Sequence, residues 1–245
     1  MTEEGERIYQ WAQQILDSVD GMVAEAGAAR AEPRGLLRVC SSFGFGRNIV
    51  APAISQLSAR YPQLNVRFEV FDRLVDITSE GFDLDVRVGD EIAPHLIARR
   101  LATNHRVLCA APSYLERHGT PRQLAELSSH DCLIIKERDH PFGVWRLRDG
   151  NRDEEVIKVT GPLSSNNGEV VVQWAVDGRG IVLRSMWDVA PLLESGRLVR
   201  ILPDYTQDAN VWAVYPSKLG NSAKLRVCVD WLEQSLQAMI AQRVA

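Results

Sequence analysis

The chain has 245 residues, a net charge of −4 and a sequence pI of about 5.8, with 45% hydrophobic and 24% charged residues. This balance excludes the strongly basic surface that is typical of nucleic-acid binding, and the length suffices for one large domain or two small ones. The sequence has no apolar run of 18 residues and no basic start followed by an apolar stretch. It therefore predicts neither a membrane span nor an export signal, and we expect a cytoplasmic protein.

The first thirty residues carry an apolar seam with a period of 3.5 residues. Its members recur at alternating intervals of four and three positions: Ile8, Ala12, Ile15, Val19, Met22, Ala26 and Ala29. This pattern predicts a helix that packs against a partner helix. Since Ala31-Glu-Pro-Arg-Gly35 would end that helix, we expect residues 1–31 to be a linker helix for self-association. The alternative is that the seam packs on its own domain.

The segment 35–54 predicts a strand, a turn and a helix. Residues 36–40 favour a strand, Gly44 and Gly46 are free to take unusual dihedrals, and Pro52 is expected in the first helical turn. A loop that follows a strand in an open α/β sheet lies at the ligand-binding edge, and a helix start offers N–H groups to an anion. The first predicted ligand contacts are Ser41, Ser42 and Phe43. The alternative is that the serines only cap the helix.

The remaining chain alternates strand and helix patterns in two sets. The first set has strands at 64–70, 83–89, 96–101 and 105–111 and an amphipathic segment near 73–80. The second begins at Ala111 and has a helix at 121–127, a strand at 132–136, a hairpin of 145–148 with 156–159, a helix at 170–176 after a cap-rich start, and a strand at 181–183. A strand at 211–215 and a helix at 224–240 follow. The order favours mainly parallel sheets in two lobes, with a ligand cleft between them.

Cysteine and histidine spacing argues against a metal centre. Cys40, Cys109, Cys132 and Cys228 form no C-x-x-C pair and lie in apolar runs, so we expect buried free thiols rather than disulfides or metal ligands. The histidines show no H-x-x-x-H or H-E-x-x-H spacing, and the sequence has no G-x-S-x-G elbow and no complete dinucleotide fingerprint. We therefore predict no metal, no cofactor and no catalytic residue, and a protein that is not an enzyme.

A series of motifs along nearly the whole chain resembles the LysR-type transcriptional regulators. They are Thr2-x-x-Gly5, Gly35-Leu-Leu-Arg-Val39, Arg60-Tyr-Pro62, Gly81-Phe-Asp-Leu-Asp-Val-Arg87, Ala98-Arg-Arg-Leu101, Ala111-Pro-Ser-Tyr-Leu115, Gly178-Arg-Gly-Ile181 and Gly196-Arg-Leu-Val199. Their order and spacing together are specific. The versions around Asp85-x-Arg87-x-Gly89 and Ala111-Pro-Ser-Tyr114 resemble the subgroup that contains the D-malate regulator.

The resemblance implies an α/β, two-lobed, periplasmic-binding-protein-like fold with an N-terminal linker helix. It implies one lobe from residues 35–110 plus 212–245, a second lobe from residues 111–211, and two crossover strands between them. It also implies assembly to a dimer or tetramer. DNA would be contacted only through a winged helix-turn-helix that is not among these residues, and no membrane partner is implied.

The resemblance places a small, anionic effector, which we expect to be a carboxylate, between the lobes. The implied contacts are Ser41, Ser42, Phe43, Arg87, Ile135, Asn166, Asn167, Arg184 and Ser185. Each has a structural alternative: ion pairs with Asp85, Asp72 or Asp188 for the arginines, a turn and cap for the asparagines, and core packing for Phe43 and Ile135. Two other functions stay open, a solute-binding receptor of a transport system and an enzyme on a two-lobed α/β scaffold.

Overall fold

A computed structural model describes residues 33–136, 141–150, 153–219 and 222–244, together with positions 2, 4, 5, 7–9, 11, 12, 15 and 19. From position 4 onward, the described positions of the N-terminal segment are helical, as the seam predicts. Ile8, Ile15 and Val19 are at least half exposed. The rest of the predicted seam, Met22, Ala26 and Ala29, lies outside the described residues. Within the described ranges, no helix is both long and apolar enough to span a membrane.

Thirteen strands and six helices are defined in the described part of the chain. The strands are β1 (Gly35–Ser41), β2 (Leu64–Val70), β3 (Leu84–Val88), β4 (Leu96–Ala102), β5 (His105–Ala110), β6 (Cys132–Ile135), β7 (Val144–Asp149), β8 (Glu155–Lys158), β9 (Ser164–Ser165), β10 (Ile181–Ser185), β11 (Val199–Arg200), β12 (Tyr205–Asp208) and β13 (Val211–Pro216). The helices are α1 (Phe43–Phe45), α2 (Ala51–Arg60), α3 (Pro112–His118), α4 (Gly168–Val176), α5 (Met186–Glu194) and α6 (Ala223–Val244). A π-helical turn, Gly46–Val50, joins α1 to α2, and 3₁₀ turns span Leu124–Ser129 and Ser217–Leu219.

The strands form two sheets, one for each lobe. The first has the order β2-β1-β3-β13-β4, and the second has the order β8-β7-β12-β5-β10-β6-β9 with β11 also on β5. We expected mainly parallel sheets, but both are mixed. In the first sheet β1 is parallel to β2 and β3, whereas β13 is antiparallel to both of its neighbours. The antiparallel strands arise because the chain crosses between the lobes and returns, which a simple βα alternation does not include.

Strand β5 belongs to the second sheet, although the sequence analysis grouped residues 35–110 in the first lobe. Its main-chain partners are β10, β11 and β12. The chain crosses just before β5 and returns just after β12, and the two crossings are tied at Asn104. The Asn104 side chain donates to the Ala209 carbonyl over 2.8 Å, and Ala209 N–H donates back to the Asn104 carbonyl. The crossing therefore lies at Asn104 and not after Ala110.

Alternation along β5 builds the core of the second lobe on both faces of its sheet. Val107 and Cys109 join the cluster that packs under α4 and α5, while Leu108 and Ala110 join the cluster on the opposite face. A strand whose two faces are both covered is apolar at every position, and residues 107–110 fit that rule. The predicted hairpin is also confirmed, since β7 and β8 pair antiparallel.

The helix after β1 differs from its predicted form. Pro52 is the second residue of α2 and so lies in its first turn, as predicted, but α2 continues a helical segment that already begins at Phe43. Because proline has no N–H to give to the carbonyl four residues earlier, that carbonyl needs another donor. Arg243 of α6 donates to the Asn48 carbonyl over 3.5 Å, and the π-helical turn ends two residues before the proline.

Two predicted helices are turns. Near 73–80, Val75 and Ile77 are both buried, a spacing of two that no helical face provides. The Asp76 carboxylate accepts the N–H groups of Thr78 and Ser79, which stabilises a local turn instead. The predicted helix at 121–127 is the 3₁₀ turn Leu124–Ser129.

Candidate functional site

A polar cavity of about 60 Å³ lies between the two lobes at the carboxyl ends of β1, β2 and β10. One water needs roughly 10–15 Å³ by this measure, so the cavity has room for a small molecule or several waters. Its lining comes from both lobes: Ser42, Gly44, Phe45, Phe71, Asp72, Val88, Arg106, Asn166, Gly168, Arg184, Ser185 and Trp187. Two guanidinium groups and one carboxylate are among these side chains, so the lining favours an anionic ligand.

Arg184 is the most enclosed charge of the cavity, at 8% exposure. Its Nε donates to the Asp188 carboxylate over 2.6 Å, an i,i+4 pair that fixes the guanidinium. A Cβ on Gly168 would lie only 2.2 Å from Arg184 Nη1, and a Cβ on Gly44 would lie 3.6 Å from Nη2. The guanidinium therefore sits between the starts of α1 and α4, and glycine at position 168 is needed for its close approach to that backbone.

Three further polar side chains face the same space. Arg106 donates from Nη1 to Gln207 over 2.8 Å, which holds a second guanidinium at the cavity wall. Ser42 occupies the N-cap position of α1 but its hydroxyl makes no capping hydrogen bond, so the capping alternative is wrong for this serine. Asn166 is exposed at the edge of the cavity. Hydroxyl, amide and guanidinium donors at one small cavity are suited to a carboxylate.

The two helix starts are not open to an external anion, contrary to the sequence-based argument. Phe43 N–H donates to the Asp72 carboxylate over 3.1 Å. At α4, the Asn167 side-chain oxygen accepts the N–H groups of Glu169 and Val170, so the predicted cap is confirmed. The chain's own side chains thus fill the positions that an anion would take at a free helix start.

Four of the nine predicted contacts line the cavity: Ser42, Asn166, Arg184 and Ser185. Phe43 and Asn167 lie beside the cavity. The Phe43 N–H donates to Asp72, and the Asn167 side chain caps α4. Ser41 is 2% exposed, and its hydroxyl donates to the Val86 carbonyl over 2.7 Å, so it ties β1 to β3. Ile135 lines a smaller neighbouring cavity of the second lobe that also includes Arg106.

Arg87 has the structural role that the sequence analysis left open. Its Nε and Nη2 both donate to the Asp85 carboxylate, at 3.0 and 2.9 Å, and its Nη1 donates to the Glu91 carbonyl. Both side chains of this pair are more than 90% buried. Arg87 does not line the interlobe cavity, because this pairing holds its guanidinium beside its own strand.

Sequence reasoning missed Asp72, Arg106 and Trp187. Asp72 lies two residues beyond the end of β2, in the loop at the same sheet edge as Ser42, so the rule that selected the serines would also have selected it. Trp187 lies two residues beyond the end of β10, where an aromatic side chain in an apolar pattern predicts core packing. Arg106 is a charged residue in an otherwise apolar strand pattern. Such a residue is as consistent with an ion pair or a strand end as with a ligand contact, so the pattern alone does not select it.

The four cysteines are buried free thiols, as predicted. Burial raises the pKa of Cys109, Cys132 and Cys228 to about 12, so their thiols stay protonated at neutral pH. Among the residues that the structure places, no group of three His, Cys, Asp or Glu side chains could hold a metal ion.

Comparison with protein families and with individual proteins gives one consistent result. The family model described as "LysR substrate binding domain" matches residues 30–237. The chain is similar to the HTH-type transcriptional regulator DmlR of Escherichia coli K12, at 59% identity over 96% of this chain and 76% of that protein. It is also similar to the HTH-type transcriptional activator TtdR of the same strain, at 50% identity over 95% of this chain and 74% of that protein.

Solved structures share the fold. The LysR-type transcriptional regulator CrgA from Neisseria meningitidis matches with a TM-score of 0.72 at 28% identity, over 96% of this chain and 80% of that one. The regulatory domain of CrgA matches with a TM-score of 0.68 at 27% identity, over 83% of this chain and all of that one. The two lobes and the crossover strands described above are thus those of a known regulatory-domain architecture.

Proposed function

The chain belongs to the LysR family of transcriptional regulators, which are not enzymes, and from this premise we propose that its interlobe cavity binds a small carboxylate effector. The observation that carries the proposal is the position of Arg184. Its enclosed guanidinium lies at the cavity between the starts of α1 and α4, with a second guanidinium, Arg106, in the same lining. The resemblance of the sequence motifs to the subgroup that contains the D-malate regulator supports the same ligand class.

Effector binding would act by changing how the lobes sit on each other. A ligand shifts such an equilibrium only when it binds one arrangement better than the other. Because the cavity lining comes from both lobes, an effector held by Arg184, Asn166 and Ser42 would favour the closed arrangement. We propose that the change reaches, through the linker helix, a DNA-binding domain outside these residues, in a homodimer or homotetramer that acts in the cytoplasm.

The proposed domain organisation follows from the sheets. We propose that residues 1–31 serve as the linker and dimerisation segment, and that the lobes follow the bounds given above with one change. Since β5 pairs only with strands of the second sheet, we place the boundary at Asn104 instead of after Ala110. The first lobe then comprises about 35–103 and 212–245, and the second about 104–211.

The test is a thermal-shift and calorimetry screen of the chain with D-malate, L-malate, succinate and benzoate. A ligand at a hundred times its Kd adds about 2.7 kcal/mol, which for a chain of this size raises Tm by roughly 5–10 °C. Arg184→Gln should abolish the shift, and Ser42→Ala should weaken it. The matched control is Arg122→Gln, which removes one exposed positive charge that is not among the lining residues. Binding that survives in Arg184→Gln would place the site elsewhere.

A further inference from the structure

We propose that Asp72 and Glu169 form an interlobe latch, defined as the contacts of Asp72 with Asn167 and of Glu169 with Arg47 and Asn48. The latch holds the two lobes together over the cavity. It thereby sets how often the cavity opens, a property that goes beyond the effector-binding function proposed above.

The first half of the latch links the starts of two helices that belong to different lobes. Asp72 Oδ1 accepts the N–H of Phe43 in the first lobe, and Asp72 Oδ2 accepts from Asn167 Nδ2 of the second lobe over 2.8 Å. The Asn167 oxygen is already committed to the N–H groups at the start of α4. The Asn167 amide therefore has one orientation, with Nδ2 as the donor to Asp72. The flipped amide would lose the cap of α4, because Nδ2 cannot accept its N–H groups.

The second half crosses the cleft in the opposite direction. Glu169, in the first turn of α4, extends over Gly44, where a Cβ would lie 3.3 Å from its Cγ. Its Oε1 accepts from Arg47 Nη2 over 2.5 Å and from Asn48 Nδ2 over 2.9 Å. Asn48 also donates to the Gly44 carbonyl, which keeps its amide directed at the carboxylate. Each lobe thus contributes one carboxylate that donors of the other lobe bind.

The latch and the cavity share the same walls. Gly44 and Gly168 lie on either side of the Arg184 guanidinium, and they belong to the two helices that the latch ties together. Separation of the two helix starts would expose Arg184 to water and widen the cavity between them. Rupture of the latch is therefore the opening step of the cavity, and its strength determines how easily that step occurs.

An exchange of the two bridging side chains tests the latch without any ligand. In Asp72→Asn the new amide can accept from Phe43 N–H or from Asn167, but not from both, so the bridge is lost. In Asn167→Asp two carboxylates face each other across the cleft, although the α4 cap is retained. In the double variant Asp72→Asn/Asn167→Asp the donor and the acceptor are interchanged, so the bridge can form again with an unchanged net charge.

Hydrogen exchange of the full chain, followed by mass spectrometry of peptides covering 42–48 and 167–172, measures opening at both helix starts. Each single variant should exchange about five- to tenfold faster there, as expected for the loss of one charge-assisted hydrogen bond that is partly exposed to water. The double variant should return to within about twofold of the original chain. Glu116→Gln, which removes an exposed negative charge on α3, should leave both segments unchanged.

Single variants that exchange like the original chain, or a double variant no slower than its parents, would overturn the latch. Circular dichroism and Tm of every variant establish that the comparison is made between folded chains. The exchange measurement contains no effector, so it is independent of the carboxylate screen. A failed screen with a positive exchange result would reject the proposed ligand and keep the latch, whereas the reverse result would keep the ligand and reject the latch.

Discussion

The indole ring of Trp187 packs edge-on against the phenyl ring of Phe45, with ring centroids 5.2 Å apart and ring planes at 69°. Trp187 lies in the first turn of α5, after β10 of the second sheet, whereas Phe45 follows β1 of the first sheet. Trp187 nevertheless belongs to the core cluster of the first lobe, and it is 2% exposed. Trp187 and Phe45 thus form one wall of the cavity and part of the hydrophobic core that both lobes share. The lobes are joined by apolar packing at this wall and by hydrogen bonds at the latch.

Truncation of this indole should therefore destabilise the protein as a core mutation does. Trp187→Ala is expected to lower the free energy of unfolding by about 3–5 kcal/mol, because the lost burial and the residual cavity both count against the folded state. Urea denaturation followed by circular dichroism measures the change. Phe142→Ala, at a ring that is 59% exposed, is the aromatic control and should stay within about 0.5 kcal/mol. Equal effects of the two changes would contradict a shared core.

Arg87→Ala should reduce stability and leave the cavity intact. The substitution strands the buried Asp85 carboxylate without the guanidinium that donates to it twice, and breaking such a pair typically costs about 3–5 kcal/mol. Arg146→Ala breaks an exposed pair with Glu154 and should cost no more than about 1 kcal/mol. Urea denaturation of both variants measures the two changes in the free energy of unfolding. A stable Arg87→Ala variant that loses effector binding would instead restore Arg87 as a ligand contact.

The thiols should be unreactive until the chain unfolds. All four cysteines are buried, and burial raises the pKa of Cys109, Cys132 and Cys228 to about 12. Because the thiolate is the reactive form, an aromatic disulfide reagent at pH 8 should titrate less than about one thiol in the folded chain. In guanidinium chloride the same reagent should titrate four. Rapid stoichiometric reaction of the folded chain would show that one of these sites is open.

His105 should make stability fall on the acid side of neutrality. Burial, and then the nearby Arg200 charge, lower the pKa of this imidazole from its ordinary value of about 6.5. The unfolded chain therefore binds the proton more tightly, so the contribution of His105 is complete above pH 6.5 and is lost as pH falls through that value towards the lower folded pKa. His105→Gln should show a smaller loss of stability between pH 7.5 and 5 than the original chain. Parallel pH profiles of the two proteins would contradict this assignment.

The sequence predicted the fold better than it predicted the site, for a physical reason. Periodicity reports which side chains are buried, so β1, β5, β10 and the hairpin of β7 with β8 were found close to their observed bounds. It does not report which strands cross between lobes. The sequence grouped β5 with the first lobe, whereas β5 pairs in the second sheet, after a crossing at which Asn104 bonds Ala209, 105 positions away.

The site depends on which charged side chains pair with each other, and the sequence pattern does not show which arginine is left facing the cavity. Arg87 and Arg184 both lie near the ends of short apolar strands, and both pair with an aspartate close in sequence. The structure separates them only by what surrounds each guanidinium. Gly168 leaves room beside Arg184 at the cavity, whereas Asp85 and the Glu91 carbonyl enclose Arg87. Similarly, Gly44 and Gly46 are needed for space and not for unusual dihedrals, since both are helical and a Cβ on Gly46 would lie 2.7 Å from Val70.

The N-terminal seam gives the last prediction, which concerns assembly. Ile8, Ile15 and Val19 are helical and between 50% and 64% exposed, and three apolar side chains repeated at heptad spacing on one helix favour a partner helix. Replacing Ile8 and Ile15 together by Ser should therefore weaken self-association at least tenfold in sedimentation velocity, since each buried isoleucine contributes about 1.5–3 kcal/mol. Phe142→Ser removes an equally exposed apolar side chain from the second lobe and should leave the sedimentation profile unchanged. If the Ile8/Ile15 variant sediments as the original chain does at every concentration, the lobes and not the linker helix hold the protomers together.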